Sequence, residues 1–142
     1  MKRRKARELA LQFLFQWDVS GGGDLEARLA QFWEWQHPHP EALRFAEGLI
    51  RGTLDHLQES DGLLAQTSEH WTLDRMATVD RNILRYAAYE ILFYEEVPEK
   101  VAIDEAIEVA KKYGSAESPA FVNGILDQIV KQGKRKAAAA SL

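Results

Sequence analysis

Residues 78–95, reading TVDRNILRYAAYEILFYE, constrain this chain more than any other stretch. Their apolar members (Val79, Ile83, Leu84, Tyr86, Ala87, Ala88, Tyr89, Ile91, Leu92, Phe93 and Tyr94) fall on every face of a 3.6-residue spiral, and a helix that is apolar all round is a buried one. The rest of the chain therefore has to wrap around it. Thr78 suits the N-cap, Asp80 suits the positive end of the helix dipole, and Val97-Pro98 ends the helix, because the residue before a proline is pushed out of helical geometry. Each large side chain fully buried in such a helix contributes roughly 1.5 to 3 kcal/mol. Stability concentrates here, and activity has to come from elsewhere.

The segments on either side are also helical. The spacing predicts a first helix from residue 3 or 4 to 19, stopped by Gly21-Gly22-Gly23, where backbone freedom disfavours continuation. Further helices are expected at about 25–35, 41–57, 61–69, 99–113 and 118–132. His37-Pro38-His39-Pro40 breaks the second from the third. Trp71 is placed as a core plug at the corner before the central helix, and Val101, Ala102, Ile103, Ala106, Ile107, Val109, Ala110 and Tyr113 as one buried face. Gly114 is read as a C-cap, and Ser118-Pro119 as an N-cap followed by proline at the first helical position. No segment alternates as a strand does, so the expected class is all-α, with one domain over residues 1–133 and a basic, frayed tail at 134–142.

Charge is segregated along this chain. Residues 1–7 hold five bases and no acid, and residues 131–142 hold four bases and no acid. The middle keeps 18 − 9 = 9 bases against all 22 acids. A basic end on an acidic body points to a polyanion at the end and to a basic partner on the body. Cysteine is absent, which removes thiol nucleophiles and thiolate metal sites and is compatible with a reducing cytoplasm. No apolar run approaches the ~18 residues needed to span a bilayer.

Placed at ~100° per residue, the first helix buries Ala6, Leu9, Ala10, Phe13, Leu14 and Trp17 on one arc and turns Arg4, Arg7, Leu11, Gln12 and Phe15 to the other. Cations beside an off-core aromatic suit single-stranded nucleic acid, since Lys and Arg neutralise phosphates and an exposed ring supports an unstacked base. Anionic lipid would suit the same helix, but Trp17 and Phe13 are better used in a core. The three glycines follow a helix and lack a phosphate-loop context. His37 and His39 lack a third ligand of clear spacing, so no metal is assigned. Asp104, Glu105 and Glu108 beside Lys111 and Lys112 read as a solvated surface. No nucleophile-base or HExxH motif is present, which argues against an enzyme and against a cofactor.

Four blocks, MKRRKARELALQFLFQWD, HWTLDRMATVDRNILRYAAYEILF, VPEKVAIDEAIEVAKKYG and SPAFVNGILDQIV, cover nearly the whole chain apart from about residues 20–40. In order and spacing they resemble the bacterial NusB family of transcription antitermination factors. The resemblance implies about seven helices packed as two sub-bundles around the central helix. It implies binding of the boxA element, a short single-stranded RNA of ribosomal RNA and phage leader transcripts, jointly with the ribosomal protein NusE. That complex joins RNA polymerase with other Nus factors and keeps it elongating.

Carried over by position, the family's arginine-rich motif falls on Arg3, Arg4, Lys5 and Arg7, with Lys2 added here. Lysine at the third position keeps the charge and loses a planar fork. Phe15 stands where relatives carry tyrosine and keeps stacking without the phenolic hydrogen bond. Glu117 falls where family acids lie close to the RNA, and Asp80 near the NusE contact, although an acid at either place is equally a helix-cap or dipole residue. The competing reading is an adaptor that docks a basic ribosomal protein on its acidic body. A NusB-like domain also heads ribosomal RNA cytosine methyltransferases, but the sequence offers no catalytic domain after the last helix, so methyl transfer is not expected.

Overall fold

The computed structural model of the protein describes residues 2–68 and 72–133; the expected Trp71 plug and the tail at 134–142 lie outside them. Seven α-helices follow in order: α1 Lys2–Ser20, α2 Leu25–Glu34, α3 Pro40–Asp55, α4 Leu57–Thr67, α5 Thr78–Phe93, α6 Glu99–Tyr113 and α7 Ser118–Lys131, with a 3-10 turn at Leu73–Arg75 before α5. The described residues contain no strand. No helix among them is long and apolar enough to cross a membrane.

The central segment does what its composition dictates. Helix α5 touches α1, α3, α4, α6 and α7, and among these neighbours α1 packs chiefly on α3 and α6 chiefly on α7. Ile83, Leu84, Tyr86, Ala87, Ala88 and Ile91 are completely buried. Helix α2 is held from outside, by Phe32 set edge-on against Phe13 with 5.5 Å between ring centres and by Trp33 Nε1 donating to Glu47 at 2.8 Å.

Two close approaches set the fit of α3 on α5. A Cβ at Gly52 would lie 2.0 Å from the Tyr89 ring, and one at Gly48 would lie 2.5 Å from the Tyr94 hydroxyl. Glycine is needed at both because the rings occupy the space a side chain would take.

The structure differs from the sequence expectations at several ends. Thr78 is the first helical residue of α5, and Ala77 occupies the cap position with no side-chain bond. Glu117, and not Ser118, stands at the cap of α7; Ser118 Oγ instead accepts from Ser115 N–H at 2.9 Å and closes the preceding turn. His39 caps α3 through Nδ1, which accepts from Glu41 N–H at 3.1 Å. Helix α4 begins at Leu57 and not near residue 61, because His56 serves both as C-cap of α3 and as N-cap of α4. Two faces are also corrected. Leu11, expected on the outer arc, is buried, and Val101, expected in the core, is 44 % exposed.

Glycines 52 and 62 give a paired test. Gly62→Ala, with nothing within 4 Å of the added carbon, is expected to stabilise the protein by about 0.5 to 1 kcal/mol through helix propensity. Gly52→Ala is expected to destabilise it by about 1 to 3 kcal/mol through overpacking against Tyr89. Urea denaturation of the two variants reads both signs.

Candidate nucleic-acid interface

Five cations in the first seven residues cannot all face solvent. At ~100° per residue they surround the helix, and the side that meets α5 must bury one of them. That one is Arg7, which is 3 % exposed. Its Nε donates to Glu90 Oε1 at 2.9 Å, its Nη2 donates to Glu90 Oε2, and Glu90 is fully buried. Burial alone would lower the Arg7 pKa, but the hydrogen bonds and charge of Glu90 outweigh it and hold the guanidinium charged. Arg7 is therefore removed from the expected RNA-facing set. Its partner is a side chain inside the protein.

Arg4 is the next residue inward. Its Nε and Nη2 donate to Glu105 at 3.0 and 2.7 Å, and Arg7 Nη1 lies 3.6 Å from the same carboxylate. These hydrogen bonds from Arg4, opposed by burial, keep the Glu105 carboxyl below its usual range. Glu105 thus belongs to the α1–α6 seam, where the sequence reading had placed a solvated surface. Arg4 itself keeps about a third of its side chain exposed.

The outer cations are held loosely. Arg3 lies over the Phe45 ring at 4.7 Å and 3.6 Å from Glu96, and Lys2 is 3.7 Å from Glu41, each with about half its side chain exposed. Such exposed pairs contribute little to stability and exchange readily for another anion. Lys5 is exposed and has no ion pair among the described residues. Nearly three turns on, Phe15 is 37 % exposed.

The strip continues onto α6. Lys112 Nζ and the Tyr113 hydroxyl both donate to Glu8 Oε1 at 2.9 Å, and Gln12 Nε2 donates to the Tyr113 oxygen at 3.3 Å. Burial would raise the Glu8 carboxyl, yet these two donors hold it below its usual range. Glu117, exposed, follows Tyr113 in the turn to α7 and accepts from Ser115 Oγ at 3.2 Å. The structure thus gathers Lys2, Arg3, Arg4, Lys5 and Phe15 along α1, with Lys111, Lys112, Tyr113 and Glu117 beside them. Lys112 and Tyr113 escaped the sequence reading because the residues they meet on α1 lie more than a hundred positions away. No local spacing signals that contact.

Asp80 sits at the other end of α5. Arg7 reaches Glu90 near the last turns of α5, whereas Asp18, near the end of α1, accepts from Arg81 Nε and Asn82 Nδ2, both at 2.9 Å, and Arg85 Nη1 at 3.1 Å. Asp80 is buried, with its Oδ1 lacking a hydrogen-bond partner among the described residues. Among the described residues no group of three His, Asp or Glu could hold a metal ion.

The family model described as NusB family matches residues 4–131. A Desulfitobacterium hafniense protein named transcription antitermination protein NusB is 50 % identical over 138 residues, covering 96 % of this chain and 93 % of its own. The protein of that name from Thermodesulfovibrio yellowstonii is 41 % identical, covering 93 % of each chain. Among solved structures, NusB of T. maritima superposes with a TM-score of 0.85 at 40 % identity, covering 97 % of this chain and 96 % of that one. A crystal structure of the antitermination factors NusB and NusE in complex with dsRNA superposes with a TM-score of 0.82 at 27 % identity, covering 92 % and 97 %.

Two stability measurements follow from these contacts. Arg7→Ala takes the forked guanidinium away from the buried Glu90 carboxylate and is expected to cost about 3 to 5 kcal/mol, whereas Lys5→Ala should stay within about 0.5 kcal/mol; urea denaturation separates them. The carboxyls of Glu8, Asp18 and Glu105 all lie below their usual values of 4.5, 3.8 and 4.5. A depressed folded-state pKa gives stability that is present above the unfolded value and lost as pH falls through the folded one. Urea midpoints should therefore hold near neutrality and fall below about pH 4.5.

Proposed function

The chain belongs to the NusB family, and on that premise we propose that it is a non-catalytic antitermination factor that binds single-stranded boxA RNA together with the ribosomal protein NusE. In this reading it works in the cytoplasm, where the complex joins RNA polymerase with other Nus factors and keeps it moving through ribosomal RNA operons. The observation that carries the RNA half is the α1 strip: Lys2, Arg3 and Lys5 exposed or loosely paired, Arg4 about a third exposed beyond its fork to Glu105, and Phe15 open beside them. Phosphates take the cations and Phe15 offers a ring face to an unstacked base. Glu117, in the adjoining turn, accepts hydrogen bonds from base edges rather than from phosphate.

The protein half rests on different groups. Asp80 lies near the start of α5, and the body of the chain is strongly acidic. Both favour a basic protein such as NusE near the start of α5. An adaptor that holds NusE and meets RNA only secondarily uses the same Asp80 end.

Titrating labelled boxA RNA and a scrambled sequence, with and without NusE, tests the proposal. With ~0.7 per phosphate contact, the four α1 cations should give a log-affinity against log-salt slope of about −2.8. Arg4→Ala and Lys5→Ala should each flatten it by about 0.7. Equal binding of boxA and scrambled RNA with NusE present, or variants that bind like wild type, would remove the RNA half and leave the adaptor.

A further inference from the structure

Beside the start of α1, on the side away from α6, lies an open cleft of about 330 Å³ walled by Lys2, Arg3, Arg44, Phe45, Tyr94 and Glu96, with Glu41 at its rim. We propose that this cleft receives one unpaired nucleotide of an RNA single strand, with Arg44 holding its phosphate, so that the RNA footprint runs off α1 onto α3. The inference rests on the RNA reading above and extends it to residues outside the basic motif.

Four observations carry it. Its stacking surface is already half built: the Arg3 guanidinium lies over the Phe45 ring at 4.7 Å while about half of the Arg3 side chain remains exposed, so a base laid on its free side completes the stack. The floor is rigid, because Tyr94 meets Phe45 edge-on with 5.6 Å between ring centres and is itself packed against Gly48. Charge in the cleft is positive: Lys2 and Arg3 face Glu41 and Glu96 at 3.7 and 3.6 Å, whereas Arg44 is exposed with no ion pair among the described residues and carries the surplus.

The fourth is continuity. Lys2 and Arg3 also wall a second cleft with Arg4, Val97, Val101 and Glu105. Arg4 in turn walls a third with Glu8, Lys111 and Lys112. Three concavities sharing cationic walls thus form a track from α3 across α1 to α6, suited to a flexible single strand whose phosphates recur along it. A protein segment would need an apolar anchor, and this cleft exposes mostly polar and charged surface.

Arg44 gives the test, since no described contact depends on it. Fluorescence anisotropy of labelled single-stranded boxA RNA is measured across salt for wild type, Arg44→Ala and Arg75→Ala, in the absence of NusE. Arg75 is another exposed cation without an ion pair among the described residues, placed before the start of α5 at the far end of that helix. Arg44→Ala is expected to weaken binding about fivefold at 0.1 M salt and flatten the slope by about 0.7, while Arg75→Ala changes neither. Ultraviolet crosslinking of RNA carrying 6-thioguanosine should label Phe45 or Tyr94. If Arg4→Ala and Lys5→Ala weaken binding but Arg44→Ala does not, the footprint stops at α1 and the cleft is not a nucleotide site. If none of the variants weakens binding, the RNA reading falls and takes this extension with it. Equal losses at Arg44 and Arg75 would reduce the effect to net charge and likewise overturn it.

Discussion

The ion pair between Arg7 and Glu90 is the constraint on which the functional surface depends. Both groups are almost wholly removed from water, at 3 % and 0 % exposure. Desolvating two charges costs several kcal/mol each, and their mutual attraction roughly returns it only when geometry is good. A forked, two-bond contact supplies that geometry. The pair therefore adds little net stability and much specificity: slipping α1 by one residue would set Ala6 or Glu8 where Arg7 stands, and Glu90 would lose its forked donor or face a like charge. With Arg7 pinned inward, the ~100° step places Lys5 on the outside and Arg3 and Arg4 on the two flanks.

The other end of the same helix pair is fixed by a matching polar contact of opposite sense. Near the end of α1 the acid is on α1 and the bases are on α5, with Asp18 receiving Arg81, Asn82 and Arg85. Arg85 also forks onto Asp61 of α4 at 2.9 Å through both nitrogens. Between these clamps run Leu9, Ala10, Phe13 and Leu14, all buried. Helix α1 is thereby held at both ends, and its outer strip is presented on a rigid element. A binding strip on such an element loses less conformational freedom when a ligand arrives.

Much of the fold was legible because its signals are local. An all-round apolar run marks a buried helix wherever it falls, and glycines and prolines bound their neighbours without reference to the rest of the chain. What stayed hidden depends on distant residues. Arg7 looks like its four basic neighbours until Glu90, 83 positions away, is brought beside it. Glu105 looks like a surface acid until Arg4, 101 positions away, forks onto it. Leu11 and Val101 exchanged their expected environments for the same reason, since a helical wheel shows which residues share a face and not which neighbour covers that face. The caps failed differently: Thr78 and Ser118 have the right chemistry for the role, but the chain enters each helix one residue earlier.

The central claim is that the basic motif is divided, with Arg7 spent on the fold and its neighbours left for a ligand. The arginine Nε–Hε signals of the isotopically labelled protein, followed by NMR as single-stranded boxA RNA is added, test it in one titration. The account predicts an Arg7 signal that exchanges slowly with water and does not move, while the signals of Arg3 and Arg4 shift and sharpen. An Arg7 signal that exchanges as fast as that of Arg3, or that shifts with the RNA as much as that of Arg4, would contradict it.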